Sequence, residues 1–212
     1  MGQCLRRYPR KMKGKQMPHV IGNALNPVGD GQFIILHVCN NQGVMGAGFA
    51  LALAKLWPMV ANEFHIWHET NGFNELGCVH YATVRLAGRL GLVANMVAQT
   101  LEGHRFPLSM PHLEDCLHNI NYHYPTIPGG LHLPRIGSGL ARGHWADIAE
   151  LIPAHWYIYT LPQELERFPI ESRYLIAPDL QAAFGYRQEV SGADAVRLAR
   201  AVVRGEPVEV EI

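Results

Sequence analysis

Two glycine-rich loops, each lying between a strand-like and a helix-like segment, constrain the fold of this chain most strongly. The first glycine loop, residues 40–48 (NNQGVMGAG), follows a continuous apolar and β-branched run at residues 33–39. The second glycine loop, residues 135–141 (RIGSGLA), follows a short strand-like run at residues 131–133. A helix-like segment follows each loop. Strand, loop and helix in this order predict an α/β fold in which both loops lie at the carboxyl edge of one sheet.

Other segments extend the α/β pattern. Leu113, Cys116, Leu117 and Ile120 fall on one helix face, and Trp145, Ile148, Ala149 and Ile152 repeat that spacing. Residues 78–84 and 91–97 predict strands flanking a turn at Gly88, and residues 156–161 predict the last strand. The almost wholly apolar run 49–57 predicts a buried helix, and a second helix is expected from Pro58 to about Glu69. Residues 193–204 and 208–212 are candidates for a short helix and a final strand.

Charge is distributed unevenly along the chain. Residues 1–15 hold six of the 18 basic residues and no acid, which leaves 12 basic and 18 acidic groups in the remainder. We expect a basic N-terminal tail at residues 1–17, disordered or the product of an over-long gene start, whose partner is unknown. The tail is followed by a domain at residues 18–161. A C-terminal extension at residues 162–212 comes last, and it either docks on the domain or serves a partner. The acidic body is not expected to bind long nucleic acids.

Cysteine and histidine usage favours a reduced protein without a metal. The four cysteines are far apart, which predicts free thiols in a reducing compartment and hence a cytoplasmic location. His65 and His68 have a helical ligand spacing, but no third and fourth ligand accompany them, so no metal site is predicted. No apolar run approaches the ~20 residues of a membrane span, so no membrane partner is predicted.

The pair of glycine loops favours a phosphate-containing ligand. Glycines let backbone N–H groups approach an anion, and a following helix N-terminus adds positive potential. The spacings of a P-loop, a dinucleotide-binding fingerprint and a hydrolase nucleophile elbow are missing. His37 and Cys39 are alternate residues of one strand and point to the same face, so Cys39 is either a thiol nucleophile or, as we favour, a packed core residue.

Three segments together resemble the macrodomain family, which binds ADP-ribose. They are residues 34–53 (IILHVCNNQGVMGAGFALAL), residues 93–96 (VANM) with Gln99, and residues 133–152 (LPRIGSGLARGHWADIAELI). The similarity covers residues 18–161 and is closest to the phage or bacterial branch described as ADP-ribose-1''-phosphate phosphatase-like. The resemblance implies a three-layer α/β/α fold with a mixed central sheet and a ligand cleft along the strand ends.

The resemblance also implies which residues contact the ligand. Asn23 would meet the adenine, where the family usually has Asp, and Asn40 and Asn41 would lie near the distal ribose. The diphosphate would lie between the two glycine loops. The first loop would contribute Gly46, Ala47 and Gly48 on one side, and the second would contribute Gly137, Ser138, Gly139 and Leu140 on the other. No cofactor is implied.

Catalytic groups are harder to assign by resemblance, because this chain departs from the family pattern. Asn41 stands where the closest branch often has Asp, and Ala141 stands where terminal ADP-ribose glycohydrolases have Asp. The remaining candidates are Asn41, which could orient a water molecule, and His144, which begins a helix after the second glycine loop.

We therefore expect binding of ADP-ribose or a close derivative, with hydrolysis of a phosphate or ADP-ribosyl bond at the distal ribose. A non-catalytic binding module is the alternative. A structural protein that has lost the ligand is disfavoured by the two glycine loops.

Overall fold

A mixed β-sheet with helices on both faces forms the body of the protein. The computed structural model describes residues 17–71, 76–100, 107–164 and 175–176. The strands are β1 His19–Ile21, β2 Phe33–Asn40, β3 Val79–Leu86, β4 Arg89–Gln99, β5 Leu131–Pro134, β6 Tyr157–Thr160 and β7 Leu175–Ile176. The helices are α1 Gly48–Leu56, α2 Pro58–Asn71, α3 Met110–His123 and α4 Trp145–Leu151. A 3-10 turn, Pro162–Glu164, follows β6.

The strand order of the sheet is β3-β4-β2-β5-β6-β1-β7. β3 is antiparallel to β4, and the other neighbouring strands pair in parallel. Ala87 and Gly88 join β3 to β4 with φ angles of 47° and 80°. Two successive positive φ angles suit the tight hairpin turn that matches the twist of paired strands. The sheet is therefore mixed, and its parallel strands β1, β2, β5 and β6 end at one edge.

Two hydrophobic cores cover the two faces of the sheet. On β2, Ile34 and Leu36 pack in the core beneath α3 and α4, whereas Phe33 and Ile35 pack in the core beneath α1 and α2. This alternation follows from the two-residue period of a strand, and it requires apolar residues at every position. The three-layer α/β/α prediction is thereby confirmed.

The helix α3 shows how the sequence pattern produces the packing. Leu113, Cys116, Leu117 and Ile120 are all buried, as their spacing predicts. Helix α1 confirms the helix predicted over residues 49–57, but its predicted burial is wrong, because only Leu53 of α1 is buried and Leu51 and Leu56 are exposed. The helix lies on the surface, where its amino-terminal end borders a cleft.

The C-terminal extension returns to the sheet. Leu175 and Ile176 of β7 pair in parallel with His19 and Val20 of β1. The candidate helix 193–204 and strand 208–212, like the basic tail up to residue 16, lie outside the described residues. Among the helices that the structure describes, none has the length and apolarity needed to cross a membrane.

Candidate functional site

A cleft of about 610 Å³ opens at the carboxyl edge of the parallel strands. Segments that follow β1, β2, β5 and β6 all contribute to its wall, because parallel strands end together at one edge. From the predicted site, the cleft lining includes Asn23, Asn40, Gly46, Ala47, Gly48, Gly137, Ser138, Gly139 and Leu140. The two glycine loops thus face one cavity of a size typical of small-molecule sites.

The Asn40 side chain shapes the first glycine loop from within. Its Oδ1 accepts hydrogen bonds from the backbone N–H groups of Gln42, at 3.0 Å, and Val44, at 3.4 Å. Its Nδ2 donates to the Val44 carbonyl at 2.8 Å. Because both ends of the amide bond the loop backbone, Asn40 fixes the loop geometry, and one Nδ2 hydrogen remains for a ligand.

The amino terminus of α1 points its backbone donors at the cleft. Ala47 is the N-cap residue, and no side chain caps the helix. A Cβ at Gly46 would meet no atom within 4 Å, so the space beside this glycine is open. Unpaired N–H groups and the helix dipole make this end of the cleft attractive to an anion.

The second glycine loop presents a matching row of donors. Within the described part of the chain, the backbone N–H groups of Ser138, Gly139 and Leu140 donate to no protein acceptor. The Ser138 hydroxyl donates to the Arg135 carbonyl at 2.8 Å, so its proton holds the loop. Gly137 has a φ of 70°, and a Cβ there would lie 2.6 Å from Leu108 Cδ2. A side chain at Gly137 would be strained by this backbone conformation and would have to displace Leu108, whereas Gly139 has open space around it.

A hydrogen-bonded row of polar side chains begins at His37 in the cleft lining and runs into the sheet through Asn95 to His80. His37 Nε2 is 2.5 Å from Asn95 Oδ1, and Asn95 Nδ2 is 2.9 Å from His80 Nδ1. The Asn95 carbonyl oxygen can only accept, so His37 Nε2 carries the proton and His37 Nδ1 has the lone pair. Burial lowers the pKa of His37 to about 4, although the Asn95 hydrogen bond opposes this shift. The ring is thus neutral near pH 7.

Cys39 is a neighbour of His37, as their alternation along β2 predicts. Its Sγ lies 3.6 Å from His37 Nε2 and 3.7 Å from Nδ1. Burial raises the pKa of the Cys39 thiol well above its usual range, so the thiolate needed for nucleophilic attack is disfavoured. The contacts favour a packed, protonated cysteine at the edge of the cavity.

Two charged side chains of the described residues line the cleft, Arg135 and Glu164. Arg135 Nε donates to Thr160 Oγ1 at 2.9 Å, and its guanidinium lies 5.2 Å from the centre of the Trp145 ring. Burial lowers the pKa of Arg135 to about 10, and the negative charge of Glu164 opposes that shift. Arg135 therefore stays cationic at neutral pH.

Asn23 lies in the cleft wall just after β1. Its Oδ1 accepts a hydrogen bond from the Leu25 backbone N–H at 3.0 Å, which is a local turn that Asn and Asp both favour. The same oxygen has a second lone pair for a ligand donor. The position is compatible with the expected contact with the adenine base of a ligand, since the side chain is exposed to the cleft.

The two predicted catalytic residues do not line the cleft. Asn41 turns away from it, with Nδ2 3.5 Å from Thr100 Oγ1 and Oδ1 3.2 Å from Gln42 Nε2. His144 is 76% exposed and lies 3.3 Å from Asp147 on the outer surface of α4. Successive side chains point in alternate directions, so Asn41 points away from the cavity because its neighbour Asn40 faces it.

His37, Arg135 and Glu164 line the cleft in addition to the residues that the sequence predicts for the site. Arg135 was predicted only as part of a loop, and Glu164 follows the segment that resembles the family. The alternation of His37 with Cys39 was the available signal for His37, but the partner Asn95 is distant in sequence. Among the described residues, no cluster of three His, Cys, Asp or Glu side chains could hold a metal ion.

Comparisons with known proteins find solved structures of similar fold and one phage protein of similar sequence. A macrodomain protein from Streptomyces coelicolor superposes with a TM-score of 0.57 and 29% identity, over 68% of this chain and 99% of its own. A protein of unknown function from Bacteroides thetaiotaomicron gives a TM-score of 0.60 and 28% identity, over 69% of this chain and 98% of its own. An uncharacterized 17.5 kDa protein from the tk-vs intergenic region of Enterobacteria phage T4 is 28% identical over 118 residues, which are 55% of this chain and 74% of that protein. No family model matches the chain.

Proposed function

We propose, from the premise that this chain has the macrodomain fold and resembles that family, that it binds ADP-ribose or a close derivative in the cleft between the two glycine loops. The observation that carries the proposal is the pair of facing donor rows. One row is the uncapped amino terminus of α1, and the other is formed by the N–H groups of Ser138, Gly139 and Leu140. A diphosphate held between them would accept hydrogen bonds from both sides.

The charge of the cleft supports a modestly anionic ligand. Among the described residues, Arg135 is the cation in the lining, and backbone dipoles add further positive potential. The diphosphate of ADP-ribose matches this arrangement, because backbone N–H groups bind phosphate oxygens without a dense cluster of lysines. The base would lie near Asn23, beyond the carboxyl end of β1.

We assign the chemical step to His37 rather than to Asn41 or His144. The neutral His37 ring has its lone pair at Nδ1, where an entering water would compete with the Cys39 thiol 3.7 Å away, and Asn95 holds the ring orientation. In hydrolysis, a water oxygen would bond to the distal ribose carbon or to the phosphorus, and the leaving group would depart with the electrons of the broken bond. His37 would accept the proton that the water loses. A nearby bound diphosphate would favour this protonation through its negative charge.

A binding module without turnover is the second candidate, and the position of the Glu164 carboxylate in the cleft favours it. In the part of the lining that the structure describes, Glu164 is the carboxylate, and it follows β6 rather than the first glycine loop. The loop that would surround the distal ribose thus carries amides, and a base of pKa about 4 is weak in the unliganded protein.

Titration calorimetry with ADP-ribose, followed by a phosphate-release assay on ADP-ribose-1''-phosphate, tests the proposal. Binding with release supports an enzyme, and tight binding without release supports the module. The absence of binding would contradict both.

The domain organisation is part of the proposal. The pairing of β7 with β1 supports docking of at least part of the extension 162–212 on the domain. The domain itself would span residues 18–161.

A further inference from the structure

The outer side of the first glycine loop is in contact with a histidine from α2. His68 Nε2 lies 2.9 Å from the backbone carbonyl oxygen of Asn41. A carbonyl oxygen only accepts, so the ring N–H donates this bond. His68 is in the last turn of α2, and its side chain is 12% exposed. A side chain from a distant helix thus bonds the backbone at the point where the loop begins.

The His68 ring also packs directly against Gly43. A Cβ built on Gly43 would lie 2.8 Å from His68 Cγ and 3.0 Å from Cβ and Nδ1. Gly43 has a φ of 68°, a conformation that favours glycine. The loop backbone therefore approaches the imidazole more closely than any residue with a side chain would allow.

The first glycine loop is consequently held from two sides. Asn40 and Val44 line the cleft and are joined by the Asn40 side chain. Asn41 and Gly43 alternate with them and face His68 on the other side. The Glu69 carboxylate, 3.4 Å from His68 Nδ1, contacts the remaining ring nitrogen. The ring thus has a partner at each nitrogen and a packing surface on the loop.

We propose that His68 is a positioning residue, which holds the first glycine loop in the conformation that presents Gly46, Ala47 and Gly48 to the ligand. The expected effect of His68 on ligand affinity rests on the proposed function, whereas its expected effect on the conformation of the loop does not. Preorganisation of a binding loop raises affinity because less conformational freedom is lost on binding. His68 is not among the residues that line the cleft, so its effect on a ligand is exerted through the loop backbone.

Three variants separate positioning from general packing. His68→Ala removes the hydrogen bond and the ring, and His68→Gln keeps an N–H donor that can reach the Asn41 carbonyl. His65→Ala, three residues earlier on the exposed side of the same helix, is the matched control. The measurements are calorimetric affinity for ADP-ribose, amide hydrogen exchange at Gln42 and Val44 without ligand, and melting temperature.

His68→Ala should weaken ADP-ribose binding about fivefold, as expected for one net hydrogen bond. It should also speed amide exchange at Gln42 and Val44, while His68→Gln recovers most of both and His65→Ala matches the parent. Unchanged exchange in His68→Ala would overturn the proposal, as would equal losses in His68→Gln and His68→Ala. If the parent does not bind ADP-ribose, the proposed function fails, and the exchange data still decide the role of His68.

Discussion

His37 on β2 and Asn95 on β4 are register neighbours, and their side chains are hydrogen-bonded through Nε2 and Oδ1 at 2.5 Å. His80 on β3 is the register neighbour of Asn95 on the opposite side and accepts its Nδ2 hydrogen at 2.9 Å. A polar row therefore crosses three strands from the cleft toward the edge of the sheet. Since Asn95 is fully buried, this row fixes the tautomer and orientation of His37.

Replacement of His37 tests its role as a base. His37→Gln retains an N–H donor for Asn95 but has no basic nitrogen, so turnover of ADP-ribose-1''-phosphate should fall by about a hundredfold while ADP-ribose affinity changes little. Phosphate release and calorimetry on the same preparations check this. Cys39→Ser is the control and should stay near parental turnover. Loss of turnover in Cys39→Ser, with His37→Gln active, would identify the thiol as the catalyst instead.

Buried histidines should make folding stability sensitive to acid. Burial lowers the pKa values of His37 and His132 to about 4 and of His19 to about 3, against 6.5 in the unfolded chain. The unfolded chain thus binds more protons as pH falls below 6.5, and stability is lost progressively toward pH 4 and below. The full effect is on the order of 3 kcal/mol for His37 and for His132, and on the order of 5 kcal/mol for His19.

Denaturant unfolding between pH 7 and pH 4 measures this slope. His132→Gln can keep the contacts with Tyr159 and Gly129 without titrating, so its stability should fall less steeply with acid. His123→Gln, at an exposed position of α3, is the control for the replacement of a histidine by glutamine as such. Identical slopes for the parent and His132→Gln would show that the buried ring does not contribute.

The residue after Gly22 should influence affinity for the base. Asn23→Asp preserves the turn to Leu25, since a carboxylate accepts the same N–H. An ionised acceptor forms a stronger hydrogen bond with the adenine amino group, and ADP-ribose binding should tighten about fivefold, or roughly 1 kcal/mol. Calorimetry with ADP-ribose and with AMP checks the gain. Weaker binding would indicate that Asn23 uses its amide donor.

The helices and strands could be predicted well because each is specified by a pattern of residues close together in the sequence. The spacing of Leu113, Cys116 and Leu117 predicts the buried face of α3, and the continuous apolar run predicts β2 with two covered faces. The surface position of α1 was not predictable from composition, because Phe49, Ala50 and Ala52 line the cleft instead of a core. A functional edge of this kind exposes apolar residues that a core helix would bury.

The candidate site was predictable in its loops but not in its long-range contacts. The glycines mark the loops directly, so Gly46 and Gly139 could be assigned to the cleft. The directions of Asn40 and Asn41 depend on the last register step of β2, where the pairing with β4 shifts. His37 with Asn95 and His68 with Asn41 are contacts between segments far apart in sequence, and no local pattern predicts them.

Calorimetry of ADP-ribose binding to the parent, Gly46→Glu and Gly139→Glu tests the central claim most directly. Both glycines have open space beside them, so each variant should fold and place a carboxylate beside one of the donor rows. Asn62→Glu, on the exposed side of α2, adds the same charge away from the cleft. We predict binding to the parent and to Asn62→Glu, and none to either glycine variant. Parental affinity in folded Gly46→Glu and Gly139→Glu would contradict a diphosphate site between the two loops.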